Sequence, residues 1–352
     1  MNIKKRIGAF SKLGEILRNY FDKNKSKNNT FLNKWETEIE KQIAEQHFFN
    51  AWFTPENVEF ALKSWAKLLT KQNIEKWLSG YKINEQKKPK NIGVILAGNI
   101  PLVGMHDFVS VLISGNNLIG KLSSKDDSLL KLMTAILCDI EPDFSGNIIF
   151  TNNILQNFDA VIATGSNNSA RYFEYYFAKY PSLIRKNRNS IAILNGKESD
   201  KDLENLSNDV FLYFGLGCRS ISKIYVTENY DFDKFFIAFD KWNFISKHNK
   251  YANNYDYYKS VYQMNKIGFL DNGFMLLKND NQIYSPLAVI FYEYYSDIIN
   301  LAPEINKNIN EIQCVVSELN EIENSMPFGT TQNPHLCDYA DNADTMKFLL
   351  NL

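Results

Sequence analysis

Apolar positions recur at helical spacing through the first part of the chain. Residues 7–21 carry Ile7, Phe10, Leu13, Ile16 and Leu17, and residues 32–50 carry Trp35, Ile39, Ile43 and Phe48. An i, i+3, i+4 recurrence of this kind predicts amphipathic helices. Residues 55–81 continue it, with Pro55 suited to a helix start and Gly80 to a helix end. The pattern predicts a helical segment over 1–85, followed by a polar linker at 85–91.

The period then changes. Short runs rich in β-branched residues at 91–97, 117–122, 147–150 and 160–163 read as buried strands, and the stretches to about 115, 126–138 and 168–179 as helices. Strands alternating with helices of this length imply βαβ units and a parallel sheet. A second set follows: strands at 190–194, 223–227, 287–292 and 314–319, helices at 200–211 and 231–247, and a helix within 296–309. Residues 251–259 are polar and aromatic and read as a loop or helix turn. Asp271-Asn-Gly273 between two apolar runs signals a hairpin. The fold class is therefore α/β.

At 352 residues the chain is long enough for two domains. Its 39 Lys and Arg balance 40 Asp and Glu, which argues against a surface built for nucleic acid. No apolar run reaches the roughly 18 residues that span a bilayer, and the N-terminus lacks the apolar core of a signal peptide. Cys138, Cys218, Cys314 and Cys337 lie far apart without a CxxC pair, and the four histidines are scattered. These features point to cytoplasmic thiols and away from a disulfide framework or metal centre. The first 34 residues hold nine basic side chains, including Lys4, Lys5 and Arg6, against Glu15 and Asp22. A solvated helix face followed by a polar turn at 23–30 accounts for them, with a phosphate-meeting arm as the alternative.

Three turns carry candidate chemistry. Cys218 sits in Gly215-Leu-Gly-Cys-Arg-Ser220, where glycines let a ligand approach the backbone and Arg219 favours a thiolate. Ala97-Gly98-Asn99-Ile-Pro101 follows a strand, and a side-chain amide there can donate to a developing oxyanion. Thr164-Gly165-Ser166 precedes a helix whose first N–H groups suit a phosphate. Neither GxGxxG nor a Walker A motif is present.

In order and spacing these pieces resemble the aldehyde dehydrogenase superfamily, most closely its acyl-CoA reductase branch, the fatty-acid reductases of bacterial luminescence. Asn99-Ile-Pro101 matches the family's Asn-Phe-Pro, Lys121 its strand lysine, and Thr164-Gly165-Ser166 its Thr-Gly-Ser. Ile193-Leu-Asn-Gly-Lys197 aligns with Glu-Leu-Gly-Gly-Lys, Gly217-Cys218 with the nucleophile region, Gln282-Ile-Tyr-Ser-Pro286 with Glu-Ile-Phe-Gly-Pro, and Pro327-Phe-Gly329 with a late Pro-Phe-Gly. The resemblance runs from about 91 to the C-terminus.

It implies a Rossmann-like cofactor domain at 86–189, a catalytic α/β domain at 190–325, and a C-terminal segment, 326–352, returning to the cofactor domain, on which the 1–85 helices pack. It also implies Cys218 as nucleophile, Asn99 with the Cys218 N–H as oxyanion donors, and cofactor contacts from Ala97, Gly98, Lys121, Ser124, Thr164, Gly165, Ser166 and Gln282. The family's water-activating glutamate aligns with Ile193, which cannot take a proton, so an acyl-enzyme would await a thiol or hydride. A shifted alignment would instead bring in Glu198 or Asp200. Ser124 and Lys125 replace a carboxylate that binds ribose hydroxyls in NAD-using relatives, which favours NADPH, with NADH the alternative. The expected activity is reduction of acyl-CoA, or another acyl thioester, to an aldehyde through an enzyme thioester. A dehydrogenase forming acid and a non-catalytic nucleotide-binding scaffold are the alternatives. His106 and His335 are proton-donor candidates by chemistry alone. Arg185, Lys186 and Arg188 read as an exposed basic loop, with CoA or cofactor phosphates as the alternative. Relatives often form homo-oligomers.

Overall fold

A computed structural model describes residues 1–22 and 30–352, with the side chains of 30–33 outside the description. The expected polar turn, with Lys23, Lys25 and Lys27, lies outside the described residues. Contacts divide the chain into two compact units, Met1–Lys186 with His335–Leu352, and Asn187–Pro334.

The first unit opens with helices α1 (Ile3–Phe21), α2 (Thr30–Phe49), α3 (Pro55–Leu68) and α4 (Lys71–Leu78). Capping side chains set three of the starts: Asn2, Thr54 and Thr70 each accept a backbone N–H from the first turn. The apolar stripe of α1 is buried, and Phe10 meets Phe108 and Phe144 edge-on at ring-centroid distances of 6.4 and 5.7 Å. Gly14 lets α1 lie against the end of α3, since a Cβ there would sit 2.1 Å from the Leu69 carbonyl oxygen.

Then come β1 (Asn91–Ile95), α5 (Met105–Ile113), β2 (Asn117–Lys121), α6 (Leu129–Ile140), β3 (Ile148–Thr151), β4 (Ala160–Thr164), α7 (Asn167–Tyr176) and β5 (Ser182–Arg185). The strands form a parallel sheet in the order β3-β2-β1-β4-β5. β1 pairs with β2 on one side and β4 on the other, so the turns after β1 and β4 leave the carboxyl edge at the switch point, where such sheets take ligands. Arg185 corrects the expected basic loop: it ends β5, is 4% exposed, and donates to Asp107 on α5 at 2.8 Å and to Thr345 Oγ1 at 2.6 Å. The C-terminal return is fastened again where Trp77 Nε1 donates to the Tyr339 hydroxyl and Tyr81 to Asp344.

The second unit holds β6 (Asn189–Leu194), α8 (Asp200–Phe211), β7 (Ile221–Thr227), α9 (Phe232–Phe239), α10 (Asn249–Met264), β8 (Leu270–Asp271), β9 (Leu276–Asn279), β10 (Val289–Tyr295), α11 (Ile298–Lys307) and β11 (Ile312–Val316). Its sheet runs β11-β6-β7-β10-β9-β8, parallel except for the β8–β9 hairpin at Asp271-Asn-Gly273. A reciprocal capping box between Ser199 and Asp202 starts α8. Residues 251–259, expected as a loop or turn, belong to α10. The expected helix at 231–247 is α9 followed by a 3₁₀ stretch, Asp240–Lys247.

Candidate active site

Cys218 follows an unusual stretch of backbone. After α8 the chain enters Tyr213, Phe214 and Gly215 with φ of 54°, 57° and 77°. Left-handed backbone costs a non-glycine residue about 1–3 kcal/mol, so Tyr213 and Phe214 must be held there by packing. Both are buried, and the Phe214 ring lies 4.4 Å from the His248 imidazole and 6.2 Å from the Tyr251 ring, between centroids. The turn then closes on itself, Leu216 N–H donating to Tyr213 and Ser220 N–H to Gly217.

The buried hydroxyl of Ser190 braces this turn. It donates to the Cys218 carbonyl at 2.9 Å and accepts the Cys314 N–H at 3.1 Å, joining the turn to β6 and β11. Gln332 Nε2 donates to Ser220 Oγ at 3.2 Å. The Pro327-Phe-Gly329 segment is tied to α8 through Asp209, which accepts from Gly329 N–H at 2.6 Å, Thr331 N–H at 3.0 Å and Thr331 Oγ1 at 2.8 Å. Burial raises the Asp209 carboxyl to about 6, against the pull of these donors. The Arg219 guanidinium reaches Cys314 Sγ at 3.4 Å. Burial raises the Cys314 thiol, and Arg219 opposes the rise.

Cys218 lines a recess of about 190 Å³ at the amino edge of β7 and β10, together with Phe211, Phe214, Tyr251, Met275, Tyr284 and Leu287. Among its described lining residues Arg188 is the charged one, and none carries a carboxylate or an imidazole. Ile193 is not at this recess. It lies in the core with Tyr225, Leu301 and Ile305, toward the carboxyl end of β6. Glu198 accepts the Asn195 and Gly196 N–H groups beyond that same end, and Asp200 begins α8. Position 193 therefore has no place at the recess, contrary to the expectation for it. Gln282 is exposed between β9 and β10.

In the first unit the sheet's carboxyl edge gathers the other candidates. Ala97, Gly98 and exposed Asn99 follow β1, Lys121 ends β2, and Ser124 and Lys125 are exposed in the next turn. Thr164 ends β4, and Ser166 caps α7 by accepting the Ser169 N–H. Two of these turns interlock. A Cβ on Gly98 would lie 2.5 Å from Ser123 Oγ, and Asp126 accepts the N–H of Leu102, itself at φ 57°, at 3.0 Å. Sequence reasoning missed Asp126, Asp209 and Ser190. The available signal was an acidic residue inside an apolar helix face at 209; for 126 and 190 there was none. Burial raises the Asp126 carboxyl to about 7, with the Leu102 N–H opposing and Asp127 adding to the rise. Gln46 of α2 donates to Ser128 Oγ, and Asn50, just past the end of α2, to the Lys125 carbonyl, bracing the same turn.

His106 donates from Nε2 to the Leu336 carbonyl at 2.9 Å, packed against Trp77 and Tyr339, and His335 N–H donates to Asp338. Arg188 donates to the Ile309 and Ile312 carbonyls. Lys186 pairs with Glu174 at 3.0 Å. Among the described residues no cluster of metal-ligating side chains is present, and no helix is long and apolar enough to cross a membrane.

The sequence model of the family "Acyl-CoA reductase (LuxC)" matches residues 7–238. The chain is 22% identical over 270 residues to a long-chain acyl-protein thioester reductase of Aliivibrio fischeri, covering 67% of this chain and 55% of that protein. It is 23% identical over 195 residues to one from Photorhabdus laumondii, covering 51% and 39%. The chain thus spans about half the length, or less, of these relatives. Among solved structures, aldehyde dehydrogenase 21 from Physcomitrella patens superposes with a TM-score of 0.69 at 14% identity, covering all of this chain and 84% of that one. A putative aldehyde dehydrogenase, PutA, from Anabaena variabilis gives 0.62 at 15%, covering 95% and 84%. At such identities the likeness shows the fold. With the family match spanning most of the chain, the protein belongs to the acyl-CoA reductase (LuxC) family, built on the aldehyde dehydrogenase fold.

Proposed function

We propose that the protein reduces an acyl thioester, acyl-CoA or an acyl-protein, to an aldehyde through a thioester on Cys218. The observation that carries this reading is the Cys218 recess, where a cysteine in a braced turn meets a mixed lining of aromatic, aliphatic and neutral polar side chains with Arg188, and with neither carboxylate nor imidazole. The thiolate attacks the acyl carbonyl, the C–S bond to Cys218 forms as the C–S bond to the carrier breaks, and the carrier leaves as a thiolate that is protonated by solvent. By the family resemblance, Asn99 and the Cys218 N–H would donate to the oxyanion. Without a base to activate water, the enzyme thioester persists until hydride arrives. The resulting thiohemiacetal then breaks its C–S bond, frees the aldehyde and returns the Cys218 thiolate.

The first unit's carboxyl edge fits a nicotinamide dinucleotide. Gly165 packs so closely on α7 that a Cβ would lie 2.9 Å from Ser169 Cβ, keeping the turn small where a pyrophosphate would approach. Thr164, Gly165 and Ser166 would hold the pyrophosphate, Lys121 the adenosine ribose, Ala97 and Gly98 the surface beside it, and Gln282 would act near the nicotinamide. The reduced cofactor, when bound, supplies the hydride. Exposed Ser124 and Lys125 accommodate a 2′-phosphate, which favours NADPH over NADH.

Steady-state assays with acyl-CoA test the reading. Cofactor oxidation should yield aldehyde and be abolished in Cys218→Ala. Asn99→Ala should lower kcat by about 10²–10³-fold, the usual cost of one oxyanion donor. Ser124→Glu should cut kcat/KM for NADPH at least tenfold more than for NADH, by repulsion of the 2′-phosphate. Free acid formed from aldehyde without CoA would contradict the proposal and favour the dehydrogenase alternative.

A further inference from the structure

Arg6 of α1 is 6% exposed, yet among the described residues its guanidinium makes no hydrogen bond or close ion pair, its Nε is fully enclosed without a partner, and Glu85 is the charge that acts on it from a distance. Buried charges in proteins are almost always paired, because stripping water from an unpaired ion costs several kcal/mol. The surroundings make room for this one. Gly115 adopts φ +91°, and a Cβ there would fall 2.0 Å from Arg6 Nη1. Ser114 and Asn116 beside it are engaged elsewhere, Ser114 donating to Val111 and Asn116 accepting from Lys90 N–H and donating to Ser114.

The guanidinium lines a recess of about 230 Å³ in the first unit, whose rim carries Lys82, Lys87 and Lys88. One carboxylate, Glu85, shares that rim and accepts the Ile3 N–H. Three lysines and one carboxylate thus ring the buried donor fork, Lys87 Nζ donating to the Leu350 carbonyl at 3.0 Å. The recess lies beside the start of β2, at the sheet's amino edge, away from the turns that follow β1 and β4. It belongs to neither the nucleophile nor the cofactor contacts.

We infer that this recess binds a multiply charged oxyanion of the phosphate class, with Arg6 as its buried anchor and Lys82, Lys87 and Lys88 at its rim. The planar guanidinium presents paired N–H donors to two oxygens of one phosphate group, as a lysine cannot. The basic N-terminal residues divide accordingly. Arg6 points inward as a ligand, while Lys5 lies outside with Glu141 and Asp143.

Thermal unfolding of the full chain in inorganic phosphate, against chloride and acetate at matched ionic strength, tests the inference. Phosphate should raise Tm by about 2–4 °C in a saturable way, and acetate should not. In Arg6→Met that increment should vanish, while Tm in chloride stays level or rises, since a buried charge without a close partner has been removed. Should Arg6→Met fail to fold, the double variant Lys82→Gln/Lys88→Gln, altered only at exposed positions, should show a reduced phosphate increment. Reductase activity should be retained in these variants. An equal phosphate increment in wild type and the variants, or equal protection by acetate, would overturn the inference.

Discussion

Two buried carboxyls near the candidate site make pH a direct probe at the residue scale. The folded-state value of Asp126, about 7, lies above the ordinary 3.8. The native state therefore binds this proton more tightly than the unfolded chain, and that advantage is lost as pH climbs from about 4 through about 7. Asp126→Asn keeps an acceptor for the Leu102 N–H and removes the charge. Its Tm relative to wild type should rise by about 3 °C or more between pH 4.5 and pH 8, as read by calorimetry. A constant difference would mean the carboxyl is solvated. Ser190→Ala should leave the Cys218 carbonyl and the Cys314 N–H without their shared partner, costing about 1–3 kcal/mol. It should also slow thiol labelling or acylation of Cys218 more than a surface Ser→Ala control does. Of these roles only that of Asp209 left a trace in the sequence, as an acidic residue in an apolar helix face. Asp126, Asp209 and Ser190 are ordinary polar residues whose partners lie far along the chain, as with Asp209 and the Gly329 and Thr331 amides. Cys218 stood out because two glycines precede it closely, a property of local sequence.

Elements were read well where hydrophobic period and turn chemistry agreed. The βα alternation from β1 to α7 and the hairpin at Asp271-Asn-Gly273 followed from apolar runs and punctuation. Two elements escaped for physical reasons. In α10 the buried face is made of Tyr251, Tyr255 and Tyr262, whose hydroxyls let an apolar stripe pass for polar sequence. β5 is a four-residue edge strand whose arginine looks solvated until Asp107 and Thr345, 78 and 160 residues away, enclose it. Close packing sets a prediction at this scale. Gly14→Ala would ordinarily gain up to about 1 kcal/mol of helix propensity. Here the new Cβ meets the Leu69 carbonyl oxygen at 2.1 Å, a backbone atom that cannot swing aside. The substitution should therefore lower stability by about 1–3 kcal/mol in denaturant unfolding, and a stabilised variant would refute the close approach. Gly215→Ala, at φ +77°, should likewise destabilise the turn before Cys218.

For the whole molecule, the chain leaves its first unit at 186 and re-enters it at 335. The return is held by the Trp77–Tyr339, Tyr81–Asp344 and Arg185–Thr345 bonds. These side chains place 335–352 in the first unit's stability, so deletion from 335 onward should leave that unit unable to unfold cooperatively. Central to the account is an acyl group carried by one sulfur atom and released by hydride in place of water. Intact-protein mass spectrometry after mixing with acyl-CoA measures this directly. Wild type should gain the mass of a single acyl group, stable in buffer and discharged as aldehyde on adding NADPH, and Cys218→Ala should gain none. An adduct that persists in Cys218→Ala, or one that decays to free acid before any cofactor is added, would contradict the account.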